Sequence, residues 1–173
     1  MSAVARAYVS IGSNIEREKN IRAAVAALRR RYGTLQLSPV YQSRPVGFEG
    51  DDFLNLVAGF DTNESPLVVT QALHEIEQRH GRVRGPSRFS ARTLDLDLLL
   101  YDELIRNDRE LRLPRDEIAA YAFVLRPLAE LAPERRHPRT GSTLGDMWRG
   151  FDAASQPLTR VPLTFDDSDH TPA

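Results

Sequence analysis

Apolar and polar positions alternate along Ala5–Gly12 (ARAYVSIG), which is the two-residue period of a half-buried strand, and Gly12-Ser13-Asn14 ends it in a turn. The spacing then lengthens: Ile21, Ala24, Val25 and Leu28 recur at helical intervals up to Gly33. Ser13 followed by Glu16 has the spacing of a capping box, so a first helix is expected from there. Leu35–Ser43 reads as a second strand, with Pro39 predicting an edge position or a bulge, and Phe53–Asp61 as a third. Between them Arg44–Asp52 holds a proline, two glycines and three acids, and loops of this length in a compact domain are often functional. A lid or substrate gate is the expectation.

Ser65-Pro66 is a cap followed by a first-turn proline, and Val69, Leu73 and Ile76 supply the apolar stripe of a second helix ending near Gly81. From Thr93 to Tyr101 the two-residue period returns, with Leu94, Leu96, Leu98 and Leu100 on one face and Asp95 and Asp97 on the other. The order strand, helix, strand, strand, helix, strand predicts an α+β fold of ferredoxin-like βαββαβ type. Its antiparallel sheet carries both helices on one face and leaves the other open for a ligand. The leucines of the last strand are expected against the helices and the aspartates on the open face.

Beyond Tyr101 the pattern becomes irregular, and a C-terminal extension of short helices is expected. Leu111–Pro114 reads as a short strand; Pro114–Ala120, Pro127–Leu131 and Thr143–Arg149 read as helices. From Ala153 the chain is polar and punctuated by prolines, so residues 1–160 are taken as a single domain and 161–173 as a disordered tail.

Length and composition narrow the classes. At 173 residues the chain fits one domain burying roughly two-thirds of its unfolded surface. A net charge of −1 argues against a general nucleic-acid binder. No apolar run approaches the ~20 residues of a membrane span, and the amino terminus is too short and polar for a signal peptide. Cysteine is absent, which removes disulfides, thiol nucleophiles and thiolate metal sites from consideration. A cytoplasmic monomer without an obligate protein partner is the expectation.

Charge becomes informative in one place. Lys19 is the single lysine, so arginine is this chain's default cation, yet Arg79 to Arg92 contains no Asp or Glu to neutralise its arginines. That basic stretch runs into Asp95 and Asp97. Two positions along a strand are ~7 Å apart, which lets two carboxylates hold one divalent ion or a pair ~3.5–4 Å from each other. Carboxylate oxygens without Cys or His suit Mg²⁺ better than Zn²⁺. Forked, permanently charged guanidinium groups beside them match phosphate oxygens, so the combination fits MgATP. A bare Asp-x-Asp is also what the solvent face of an ordinary strand carries. Gly12-Ser13 is explained structurally by a turn and a cap, and there is neither a Walker A lysine nor a GxGxxG.

The string GRVRGPSRFSARTLDLDLLLY, Gly81 to Tyr101, resembles the signature region of the 6-hydroxymethyl-7,8-dihydropterin pyrophosphokinase family. The likeness extends from YVSIGSN at Tyr8–Asn14 through FLN at Phe53–Asn55 to RPLAELAPE at Arg126–Glu134. It implies transfer of a pyrophosphoryl group from ATP to a pterin alcohol in folate biosynthesis, with AMP leaving. It also implies Asp95 and Asp97 as ligands of two Mg²⁺ ions, and Arg82, Arg92, Asp95 and Asp97 as the catalytic set. Arg84 and Arg88 correspond to further arginines of the catalytic loop, and His74, Glu77, Leu98 and Arg115 complete the ATP site. Phe53, Asn55 and Phe123, with Ser43, Pro45 and Val46, match the pterin pocket: two aromatic plates and an amide for a flat, guanine-like edge. No histidine stands near the motif as a base, so the resemblance points to metal activation of the alcohol with Asp97 accepting the proton.

The chain departs from the family pattern at several of these positions. Phe89 stands for the usual Trp, Ala91 for Pro and His74 for Gln; after Pro114 a His is replaced by Arg115, and an expected Arg by Tyr121. Arg115 then either supplies both missing phosphate contacts, weakens ATP binding, or marks a different phosphate donor. Two non-enzymatic readings share the topology: a catalytically weak paralogue that sequesters a pterin or nucleotide, and an RNA-binding module. The latter needs an RNP-like aromatic pattern, which Arg88-Phe89-Ser90-Ala91 lacks.

Overall fold

The computed structural model describes residues 3–45, 50–80 and 94–165. The first strand, β1 (Ala5–Ser13), enters α1 (Arg17–Tyr32) through a turn that differs from the expected capping box. The helix begins four residues after Ser13, so the capping position falls on Glu16, in the left-handed region at φ 41°. Ser13 Oγ donates to Ile15 O (3.1 Å) and Asn20 Nδ2 donates to the same carbonyl (2.7 Å), which ties the turn from within. Ile21, Ala24, Val25 and Leu28 form the buried stripe as predicted. At the other end Gly33, φ 80°, donates its N–H to Arg29 O (2.9 Å), a conformation glycine adopts without Cβ strain.

The expected second strand is two: β2 (Gln36–Leu37) and β3 (Val40–Ser43). Pro39 has no N–H for a ladder, and Ser38 takes over locally: its N–H donates to Val57 O (2.9 Å) and its Oγ accepts from Val57 N (2.8 Å). Next, β4 (Phe53–Thr62) runs antiparallel to β1 along its whole length, from Ala5 opposite Thr62 to Ser13 opposite Leu54. Helix α2 (Pro66–Arg79) starts as predicted, with Ser65 Oγ accepting from Val68 N and Pro66 in the first turn. After it comes β5 (Asp95–Tyr101), antiparallel to β1.

A small ribbon follows, β6 (Arg106–Asn107) with β7 (Arg112–Leu113), then α3 (Glu117–Ala120), α4 (Ala122–Leu131), α5 (Leu144–Arg149) and β8 (Thr159–Val161). Helix α4 begins five residues before the expected Pro127, which therefore sits inside it. The sheet order β5-β1-β4-β3-β8, with β2 also on β4, contains the ferredoxin-like arrangement. The outer edge beside β3 is not left to solvent, because Val40 pairs with Val161 and Gln42 with Thr159. Val161 belongs to the segment expected as a tail; Leu163 and Phe165 also pack against the core, and 166–173 lie outside the described residues.

One face of the sheet meets α1 and α2 through Val9, Ile11, Leu56, Phe60, Leu73 and Leu96, all buried. The other face, expected open, carries a second apolar cluster in which Tyr8, Val57, Leu99 and Leu100 pack against Val124, Leu125, Leu128 and Leu144 of α4 and α5. Leu100 was expected on the helix-facing side of α1 and α2. A bulge changes its side: Val9 lies opposite Leu98 and Tyr8 opposite Leu100, so Leu99 has no opposite number in β1 and the alternation shifts by one. The extension thus roofs one end of this face. The end bearing Gly12, Asn55 and Asp95 lines a cavity instead.

Candidate functional site

Two cavities meet over this uncovered end, and Asp97 and Glu117 line both. The first is a slot of about 210 Å³. Its floor is β1 and β4, through Ser10, Gly12, Phe53 and Asn55; Asp95, Asp97 and Leu99 come from β5, Ser43 and Arg44 from the end of β3, and Phe123 from α4. Register explains the grouping. Gly12 lies opposite Asn55 on one side and Asp95 on the other, and Ser43 lies opposite Phe53.

Asn55 is buried and donates through Nδ2 to Ser43 Oγ (2.7 Å). Its Oδ1 lies so close to Gly12 that a Cβ there would come within 2.9 Å of it. Glycine is therefore required at this position by the approach of the amide. Phe53 and Phe123 are each half-buried and reach the slot from opposite layers, with Tyr121 stacked on Phe123 at 5.1 Å between ring centres. Of the residues expected around a pterin, Ser43, Phe53, Asn55 and Phe123 are brought together; Arg44 rather than its neighbour Pro45 lines the slot, and Val46 lies outside the described residues.

The second cavity is wider, about 530 Å³, and more polar. It runs between Thr70, Leu73 and His74 of α2, Leu96 to Leu98 of β5, and Asp108 to Arg112 with Arg115 and Asp116. His74, Leu98 and Arg115 of the expected nucleotide set line it. Glu77 does not: it is buried, and its Oε2 accepts from Leu96 N (2.9 Å). That bond satisfies an amide on the outer edge of β5, an edge strand of the sheet. Arg82, Arg84, Arg88 and Arg92, and with them the basic stretch, lie outside the described residues.

Arg115 is fixed at three points. Its backbone N–H donates to Leu99 O (3.1 Å), the carbonyl of the bulge residue. Its Nε donates to Glu117 Oε2 (2.7 Å), and one terminal nitrogen stands 3.7 Å from Asp97 Oδ1. Glu117 and Gly12 are site residues that the pattern of the sequence does not mark. An acid two residues from an arginine in a four-residue helix has no periodicity to betray it, and the role of Gly12 depends on a strand 43 positions away in register, Asn55 opposite Gly12.

Asp95 and Asp97 present only carboxylate oxygens on one face, a donor set that suits a hard divalent cation. Among the described residues no group of three His, Asp or Glu side chains is placed to hold a metal. Such an ion would draw its remaining ligands from water and from a ligand's phosphates, as Mg²⁺ commonly does.

Comparison with known proteins places most of the chain beside a family. The family model described as 7,8-dihydro-6-hydroxymethylpterin-pyrophosphokinase (HPPK) matches residues 8–133. The 2-amino-4-hydroxy-6-hydroxymethyldihydropteridine pyrophosphokinase of Pseudomonas aeruginosa is 44% identical over 139 residues, covering 78% of this chain and 85% of that protein. Its counterpart in Haemophilus influenzae is 38% identical over 133 residues, covering 74% and 82%. In structure, wild-type HPPK-DHPS of Plasmodium falciparum superposes with a TM-score of 0.71 at 12% identity, over 86% of this chain and 45% of that one, a likeness of fold. With a family match across most of its length and relatives of this similarity, the chain belongs to the 7,8-dihydro-6-hydroxymethylpterin-pyrophosphokinase family.

Proposed function

We infer that the slot takes the pterin alcohol, that the wider cavity takes MgATP, and that the two substrates meet at Asp97. The chain is an ATP-dependent pyrophosphokinase: it moves pyrophosphate from ATP to the hydroxymethyl group of 6-hydroxymethyl-7,8-dihydropterin, with AMP as the second product, in folate biosynthesis. The observation that carries the residue assignment is the sharing of Asp97 by both cavities.

Phosphoryl-type transfer asks for alignment and charge neutralisation more than for covalent help from protein. Asn55 presents an amide that both donates and accepts to the edge of the flat ring, and Phe53 and Phe123 hold its faces. This fixes the hydroxymethyl group toward β5. Asp95 and Asp97 would hold the Mg²⁺, which when bound would neutralise phosphate oxygens and make the alcohol more acidic. Asp97 accepts the alcohol proton. Arg115 faces the phosphates from the wider cavity, with His74 and Leu98 along the nucleoside, while Arg82 and Arg92, supported by Arg84 and Arg88, bring further positive charge from the basic stretch.

The test is incubation with MgATP and 6-hydroxymethyl-7,8-dihydropterin, measuring AMP against ADP. Pterin-dependent AMP is expected. ADP, or no nucleotide product while pterin binding persists by calorimetry, overturns the assignment and leaves a pterin-binding protein.

A further inference from the structure

The contact between Arg115 and Asp97 joins the two cavities, and it has an unusual form. The terminal nitrogen of Arg115 is 3.7 Å from Asp97 Oδ1, beyond hydrogen-bond length, whereas Nε is within 2.7 Å of Glu117 Oε2. The guanidinium is therefore held by Glu117 and attracted by Asp97 without being bonded to it. Its backbone N–H is bonded to Leu99 O, which ties residue 115 to β5 while the side chain reaches toward the cavity. Asp97 and Arg115 are both partly exposed, at 47% and 33%, which keeps the cost of separating them low. Arg112 lines the same wider cavity but is committed elsewhere, 2.7 Å from Asp116.

We propose that Arg115 is a resident counter-ion of Asp97 in the nucleotide-free protein, and that it passes to the triphosphate when MgATP binds, with Glu117 as the positioning residue that holds it between the two. This rests on the reading that the wider cavity takes MgATP. The chemistry follows from charge. A guanidinium and a divalent cation compete for the same carboxylate, and a polyanion offers the guanidinium an alternative with better forked geometry. With metal on Asp97 and the guanidinium on phosphate, the two cations no longer contend for one carboxylate. Metal binding without nucleotide is thereby suppressed, and the ion and ATP enter together.

The experiment is titration of Mn²⁺ into nucleotide-free protein, followed by the electron paramagnetic resonance signal of the free ion. Removal of an ion-pair partner of this exposure in Arg115→Ala is expected to tighten Mn²⁺ binding about fivefold. Arg115→Gln, closer in shape, provides the same readout should the alanine variant fold poorly. Arg112→Ala removes an equal charge from the same cavity and is expected to change Mn²⁺ affinity by less than about twofold, because Arg112 pairs with Asp116 whereas Arg115 stands 3.7 Å from Asp97. Glu117→Gln frees Arg115 toward Asp97 and is expected to weaken Mn²⁺ binding about twofold, an effect opposite in sign to that of Arg115→Ala. Unchanged affinity in both Arg115 variants, or an equal gain in Arg112→Ala, overturns the proposal. Absence of AMP formation by the wild-type protein overturns the MgATP reading instead, and the metal titration, made without nucleotide, separates the two failures.

Discussion

Replacement of Gly12 by alanine tests whether the slot is built around the aim of Asn55. The new Cβ would sit 2.9 Å from Asn55 Oδ1 and 3.8 Å from Phe53 Cδ1. The first distance is roughly half an ångström inside ordinary contact, so the amide must swing away. It is not free to do so: Asn55 is buried and bonded to Ser43 Oγ at 2.7 Å. Losing that bond with both partners enclosed costs about 1–3 kcal/mol. Against this, alanine in a strand interior gains about 0.5–1 kcal/mol over glycine. Global stability is therefore expected to fall by only about 1 kcal/mol in urea denaturation. Pterin affinity is expected to suffer more, about 10- to 100-fold by calorimetry, since a misdirected amide leaves polar groups of the ring unpaired. The unequal response is the point of the experiment. Pterin affinity within about twofold of wild type, in a variant that remains folded, would refute the assignment of Asn55 as the group that reads the ring.

Three further outcomes follow from the contacts described. Asp95→Asn and Asp97→Asn each keep the side-chain shape and, being on the partly exposed face of β5, should leave melting temperature nearly unchanged while lowering AMP formation by about 10²-fold or more in a coupled assay. Glu77→Leu removes the acceptor of Leu96 N, and leaving that edge amide unpaired should cost about 1–3 kcal/mol in urea and speed hydrogen exchange at Leu96. His137 is buried and its Nδ1 accepts from Arg139 N (3.2 Å) and Thr140 N (3.3 Å), with burial, helped by the Arg139 charge, pushing its pKa below the ordinary value of about 6.5. The unfolded chain then binds the proton more readily than the folded one, so the stabilising contribution is complete above about pH 6.5 and is lost as pH falls below it. His137→Asn should flatten the dependence of urea midpoint on pH between about 7.5 and 5, and an unchanged slope would exclude this histidine as its source.

The elements that were legible along the chain are those whose signals are local. The strands β1 and β4, the stripe Ile21, Ala24, Val25 and Leu28, and the Ser65-Pro66 start of α2 depend on neighbours within a turn or two, and each stands where the local sequence placed it. Placing Asp95 and Asp97 on one face needed only the period of a strand, and the resemblance of the Gly81–Tyr101 string carried the chemistry. The Ser13–Glu16 pair shows the limit of such signals: the spacing was correct, but the helix started later, and a motif cannot report where backbone geometry will let a helix begin.

The remaining features depend on segments far apart in sequence. Leu99 has no partner because β1 and β5 bulge past each other, and that slip turns Leu100 to the second cluster and leaves a carbonyl for Arg115. Three residues, Thr159–Val161, are too few to show a period, yet hydrogen bonds to β3 make them a strand. The roof of α4 and α5 over half of the second face is likewise a packing outcome of Val124, Leu125 and Leu128 meeting Tyr8 and Val57. Which residues can form strands, helices and an acidic pair follows from side-chain chemistry at short range, and that much is written along the chain. Which carboxylate would stand between two cavities, and which arginine would face it, required the long-range register of the sheet to bring Asp97, Arg115 and Glu117 to one place.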